Sequence, residues 1–202
     1  MRQAAAKFGL IVSLGLSALG ANASTVTLVN TGSTYSYKTI GDLWGSWAGV
    51  NLATFDNFAA ANPIGGWSTG NSAFGNGGGL PQNTSWAANT DLALYTTFNL
   101  SDMASGPMTL NVASDNGFAI FLNDQLLGKD NAEGYTSYWE YTFSNSSAYL
   151  VQGTNTLKIL AEDHGGATFF DMRLTANVPE PGSLALAGLA MLGLAASRRR
   201  TV

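Results

Sequence analysis

The sequence predicts an all-β domain, a jelly-roll-like antiparallel β-sandwich, framed by an apolar segment at each end. Three observations point there. Gly, Asn, Ser and Thr are abundant while charged residues make up only 11% of the 202 residues, a composition that suits short strands joined by tight turns. From Leu92 onward, β-rich runs recur at short spacing with turn residues between them. The two end segments break that pattern and read as addresses rather than as parts of the fold.

The first address is a secretory signal peptide over residues 1–23. Arg2 and Lys7 supply a positive start, Leu10 to Leu19 an apolar stretch, and Ala21-Asn22-Ala23 the small-x-small pattern that signal peptidase accepts. Cleavage is expected after Ala23, which makes Ser24 the first residue of the mature chain.

Within the body, residues 24–176, Ser24–Asn30 alternates Thr25 and Thr27 against Val26 and Leu28 and reads as a strand. Leu52, Phe55 and Phe58 recur at helical spacing, which predicts a short helix over residues 51–61. Residues 65–85, from Gly65-Gly66 through Gly77-Gly78-Gly79-Leu80-Pro81, read as a long glycine-rich loop. Strands are expected over 92–99, 108–114, 118–123, 138–144, 156–162 and 168–175. Gly106-Pro107, Asp115-Asn116-Gly117, Asn123-Asp124 and Gly165-Gly166 punctuate them.

Charge and cysteine content exclude several functions. Residues 24–178 hold twelve acidic and four basic side chains, a net charge of −8. So acidic a surface argues against nucleic acid and against anionic membranes, and it is compatible with divalent cations or neutral glycans. The chain has no cysteine, which removes thiolate nucleophiles and Cys-ligated zinc.

The second address is the C-terminus. Val178-Pro179-Glu180-Pro181-Gly182 precedes an apolar run from Ser183 to Ala196 and the block Arg198-Arg199-Arg200. The run is 14 residues, short of the roughly 20 that span a hydrocarbon core; with flanking residues and snorkelling arginines it crosses a thinned bilayer. The arginines stay cytoplasmic by the positive-inside bias, leaving the body outside. This tail, over about 177–202, resembles the PEP-CTERM sorting domain at Pro179, Glu180, Pro181 and Arg198–Arg200. The resemblance implies export in a Gram-negative bacterium that makes exopolysaccharide, and removal of the tail by an exosortase. It further implies an inner-membrane-anchored precursor facing the periplasm, released to the cell surface or matrix. The prolines and Glu180 are substrate residues of that protease, held extended by proline geometry.

A second resemblance covers about residues 92–176. Asp115-Asn116-Gly117, Phe121-Leu122-Asn123-Asp124, Leu127-Gly128, Phe143 and Gly153-Thr154-Asn155-Thr156-Leu157 look like the galactose-binding-like, carbohydrate-binding jelly rolls. Asp124 stands where glycine is usual there, and Asn-Asp still supplies a left-handed turn.

Candidate site residues follow from chemistry. Glu162-Asp163-His164 is the densest polar cluster and contains the only histidine. Asp115, Glu162 and Asp163 are the metal candidates, with Asp171 as a further partner; calcium is the cation their oxygens suit. The competing reading is a polar loop after a strand. Asp115-Asn116-Gly117 likewise reads as a tight turn, and Asp124, Asp130 and Glu133 lack any EF-hand spacing. Among the five tryptophans, Trp67 in the glycine-rich stretch is the one expected to be exposed for stacking on sugar, whereas Trp86 and Trp139 read as core. Tyr135 and Tyr138, near the Asp130/Glu133 loop, are expected to add to that platform, and Asp163 and His164 are further ligand-binding candidates. No nucleophile elbow or phosphate loop is present.

The sequence therefore supports a non-enzymatic, exported envelope or matrix protein that associates with exopolysaccharide. Its alternatives are a purely structural matrix or adhesion protein without a small ligand and, third, a glycoside-active enzyme.

Overall fold

Two six-stranded sheets face each other across the core of the computed structural model, which describes residues 23–77, 79–104, 106–131, 134–179, 188–189 and 191–192. In chain order the strands are β1 (Ala23–Val29), β2 (Thr34–Ile40), β3 (Ser68–Asn71), β4 (Phe74–Asn76), β5 (Thr84–Ser85), β6 (Asp91–Leu100), β7 (Pro107–Asp115), β8 (Phe118–Leu122), β9 (Gln125–Asp130), β10 (Tyr141–Ser146), β11 (Gly153–Ala161) and β12 (Thr168–Pro179). One sheet runs β10-β7-β12-β4-β5, with β1 also paired to β12. The other runs β3-β2-β6-β11-β8-β9. Every pairing is antiparallel except β4 with β5.

Alternation along the strands builds the core. Met108, Leu110 and Val112 of β7 and Phe170, Met172 and Leu174 of β12 are buried between the sheets. They meet Leu92 and Leu94 of β6, Ile120 of β8, and Leu157 and Ile159 of β11. Each such side chain contributes roughly 1.5–3 kcal/mol by leaving water. With no cysteine in the chain, this apolar burial takes the place of cross-links.

The expected helix is α1 (Leu52–Ala61). Asn51 caps it by accepting from the Ala53 N–H at 2.9 Å, and Thr54 returns the favour by accepting from the Asn51 N–H at 3.1 Å. Phe55 is fully buried. Together with Trp47, Val50 and Trp67 it covers the outer face of the β6-containing sheet, over Ala93, Ala119, Phe121 and Leu160. Residues 41–67 are thus a layer of this domain.

The 65–85 stretch is not a loop. It carries β3 in one sheet and β4 and β5 in the other. Its glycines mark close approach: a Cβ on Gly70 would lie 2.7 Å from Thr84 Oγ1, and one on Gly75 would lie 2.8 Å from the Thr168 carbonyl. Composition alone reads both as loop because glycine is rare in strand interiors.

The sandwich-family residues turn out to hold turns. Asn123 and Asp124 sit at φ 47° and 67°, the left-handed pair of a tight hairpin. Asn123 Nδ2 donates to Asn155 Oδ1 at 2.8 Å, and Asn155, fully buried, bonds the Val151 N–H and the carbonyls of Val151 and Gly153.

Ala21, Glu180, Pro181 and Arg198–Arg200 lie outside the described residues, as does Glu133. In the tail, 188–189 and 191–192 are helical. Among the described residues no helix is long and apolar enough to cross a membrane.

Candidate functional site

The β7–β8 and β11–β12 connections cross between the sheets at the same end of the sandwich, and they bring the predicted acidic residues together. Gly117 N–H donates to Glu162 Oε2 at 3.2 Å, while the Glu162 N–H donates to the Gly117 carbonyl at 2.8 Å. Asn116, at φ 75°, accepts from the His164 N–H at 3.3 Å. Asp91, at the start of β6, accepts from the N–H groups of Asp163 (2.9 Å) and Leu43 (2.8 Å). Asp163 Oδ2 in turn accepts from Asn89 N–H at 2.6 Å and Gly165 N–H at 3.3 Å.

These carboxyls are held away from water. Glu162 is 2% exposed and Asp91 and Asp163 are fully buried. Burial, reinforced by the charge of Asp91, pushes Glu162 up to about 7. Burial likewise raises Asp91 to about 6, against the two N–H groups that favour its ionised form. Asp163 also moves upward, through burial. His164 Nδ1 lies 3.7 Å from Glu162 Oε1. Among the described residues no group of three or more His, Asp or Glu side chains is placed to hold a metal ion. The carboxyls are instead spent on backbone N–H groups that pin three loops.

Asp115 links this cluster to an aromatic surface. Its carboxyl accepts from the Tyr135 N–H and feels Asp163, Glu140 and His164 nearby; burial first, then those carboxylates, raise it. The 134–140 segment lies over the outer face of β12 and β7, where Tyr135, Tyr138 and Trp139 pack against Phe169 and Ala113. Tyr135 and Tyr138 meet the Phe169 ring edge-on, with centroids 5.6 and 5.5 Å apart. Tyr138 and Trp139 are perpendicular neighbours at 4.8 Å. The Arg173 guanidinium sits 5.2 Å from the Trp139 ring centre and donates to Asn111 Oδ1 at 3.2 Å. Glu140 accepts from the Thr136 N–H and hydroxyl.

The ring positions are fixed from below. Tyr138 Oη donates to the buried Asp171 carboxylate at 2.7 Å, and Thr31 Oγ1 donates to the same oxygen at 2.5 Å. Asp171 is therefore a support for the tyrosine and no partner of the Glu162 cluster. Three half-exposed aromatic side chains thus stand on a rigid sheet with carboxylate, guanidinium and amide groups around them. Such a surface suits sugar rings, whose C–H faces stack on aromatics while hydroxyls bond polar neighbours.

Two expectations about tryptophan change. Trp67 is 8% exposed; its indole N–H donates to the Asn62 carbonyl at 2.7 Å and its ring lies on Phe55 and Phe58. It reaches only the rim of a shallow recess with Tyr37, Lys38 and Ser68, far along the sequence from Tyr135, on the other sheet. Helix α1 closes over it because its apolar face needs a cover. Trp139, expected in the core, is half-buried on the outer face, while Trp86 is buried as expected. Sequence reasoning missed Trp139, Glu140, Arg173 and Asp91; the run Tyr135-Thr-Ser-Tyr-Trp-Glu-Tyr141 was the available signal.

The sandwich is similar to solved structures at low identity. A PA14 sugar-binding domain from an RTX adhesin matches with a TM-score of 0.38 at 20% identity, covering 73% of this chain and 91% of that one. The PA14 domain of the MpAFP antifreeze protein matches at 0.37 and 15%, covering 79% and 86%. A Faecalibacterium prausnitzii β-glucuronidase matches at 0.49 and 11%, covering 79% of this chain but only 32% of the enzyme. No curated protein matches the chain in sequence. The family model that matches is the PEP-CTERM protein-sorting motif, over residues 177–200, so the chain ends in the sorting signal of an exported precursor.

Proposed function

We propose that the mature domain is a non-enzymatic module of the cell envelope or extracellular matrix that associates with exopolysaccharide through the Tyr135, Tyr138 and Trp139 surface. The observation that carries this reading is that surface itself: three aromatic side chains, braced by Phe169 and Asp171, flanked by Asp115, Glu140 and Arg173. A signal peptidase acts first, after Ala23, and an exosortase then acts at the Pro179-Glu180-Pro181 motif of a precursor whose body faces the periplasm.

A glycosidase role fits the geometry less well. Glu162, whose raised pKa would suit a general acid, is enclosed behind Trp47 and Gly117 and spends one oxygen on a backbone N–H.

The test is electrophoresis of the exported protein through gels cast with the host's exopolysaccharide. Retardation that Tyr135→Ala with Trp139→Ala abolishes supports the reading. Equal mobility with and without the polysaccharide overturns it.

A further inference from the structure

A recess of about 390 Å³ opens on the outer face of the β6-containing sheet, lined by Tyr95, Asn123, Asp124, Thr156 and Lys158. Three parts of the fold converge on it. Tyr95 stands in mid-sheet, opposite Ser36 of β2 and Lys158 of β11, and is half-exposed beside the layer that α1 belongs to. The Asn123-Asp124 turn is pinned by the Thr156 N–H, which donates to Asn123 Oδ1 at 2.9 Å. Helix α1 supplies Asp56. Lys158 Nζ donates to Asp56 Oδ1 and to Asp124 Oδ1, both at 2.7 Å, and lies 6.0 Å from the ring centre of buried Phe55.

This lining selects the chemistry of a ligand. An apolar molecule would strip water from the ion pair and offer no bond in return. Two carboxylates around one ammonium leave the recess net negative, which turns away phosphate and other anions. A neutral polyol suits it. The Tyr95 ring offers a face to C–H groups, and the exposed Asp124 carboxylate accepts from hydroxyls. Lys158 has spent two of its three N–H donors on the carboxylates, and the half-exposed Thr156 adds a hydroxyl. The volume falls within the roughly 300–1,000 Å³ of small-molecule sites. Because strand, turn and helix already fix these groups, binding requires little further ordering.

We infer that this recess is a second sugar site and that the mature domain bridges two polysaccharide chains. The inference rests on the reading of the Tyr135 surface as a glycan site. That surface lies outside β12 and β7, whereas the recess lies outside the other sheet, with the core between them. The two sites therefore face away from each other and hold different chain segments. An open recess with one ring holds a free sugar weakly and does not retard the protein by itself. Once the Tyr135 surface has bound one chain, the sugars of neighbouring chains act on the recess at high effective concentration, and a weak site then suffices to cross-link.

The experiment is light scattering of the exported protein mixed with the host's exopolysaccharide, beside retardation in gels containing the same polymer. It compares the natural chain with Tyr95→Ala/Asp124→Asn, and with Thr156→Arg, which fills the recess from a half-exposed position and leaves Tyr95 in place. The natural protein is expected to form scattering networks with the polysaccharide. Both recess variants should need about tenfold more protein to reach the same scattering, while their retardation matches the natural chain. A natural protein that is retarded but forms no network overturns the inference, as does scattering that both folded recess variants retain; either result leaves the Tyr135 reading standing. A natural protein that is not retarded overturns both. Melting curves show which variants are folded, and either folded variant decides the comparison.

Discussion

Ala23 and Pro179 face each other as cross-strand partners at the end of β1 and β12. One is the residue at which signal peptidase is expected to cut, the other opens the sorting motif, and Ser24↔Val178 is the next pair inward. The expected signal-peptidase site and the first proline of the sorting motif therefore sit at one end of the sandwich. The Glu162–His164 loop precedes the other end of β12, roughly 36 Å away at about 3.3 Å per residue.

That placement predicts that losing both addresses leaves the fold intact. The processed protein and its precursor should melt within about 2 °C of each other, since at most the outermost cross-strand residue pair is removed. Replacing Pro179-Glu180-Pro181 with alanines should leave melting unchanged while the cell accumulates a heavier, uncut form. Mass spectrometry of the C-terminus checks this.

The loop junction is the most tightly built part of the site. A Cβ on Gly117 would lie 2.3 Å from Trp47 Nε1 and 2.4 Å from Glu162 Oε2. Trp47 cannot yield freely, because its indole N–H donates to the Asp130 carbonyl at 3.0 Å. Gly117→Ala should cost about 1–3 kcal/mol as an overpacked site does. Gly66→Ala, with open space around it, serves as the control in thermal unfolding.

Raised carboxyl groups make stability fall with pH. Glu162 moves from an ordinary 4.5 to about 7, and Asp91 from 3.8 to about 6. The folded state then holds protons that the unfolded chain has released, so their stabilisation is full below about pH 4 and is lost as pH rises to about 7. Glu162→Gln should flatten that decline and raise the melting temperature at pH 8 relative to the natural chain. A melting temperature that rises from pH 4 to 7 in the natural protein contradicts the assignment.

Tyr138 has two separable jobs. Its hydroxyl supports buried Asp171 at 2.7 Å, a bond to a carboxylate worth about 1.5–3 kcal/mol. Its ring belongs to the aromatic surface. Tyr138→Phe should lower chemical-denaturant stability by that order and keep polysaccharide retardation, whereas Tyr138→Ala should lose both.

Local signals carried much of the fold. Apolar spacing at Leu52, Phe55 and Phe58 marked α1, and Asn123-Asp124 marked the β8–β9 turn, because helix periodicity and left-handed turns are written in neighbouring residues. β2 and β9 went unmarked, and β3 to β5 were hidden by glycine, whose presence there reflects the approach of Thr84 and Thr168 from distant strands. The site divided in the same way. Tyr135, Asp163 and His164 stood out in the sequence for their side-chain chemistry, and the fold sets Asp115 near all three. Trp67 was misplaced because its cover, α1, is a tertiary event, and Asp91 and Arg173 were invisible because their partners lie 72 and 62 residues away.

The most direct measurement is electrophoresis of the exported protein in gels containing the host's exopolysaccharide, natural chain beside Tyr135→Ala/Trp139→Ala. The account predicts retardation of the natural protein and free migration of the variant, both melting alike. Free migration of the natural protein, or retardation that survives loss of both rings, contradicts it.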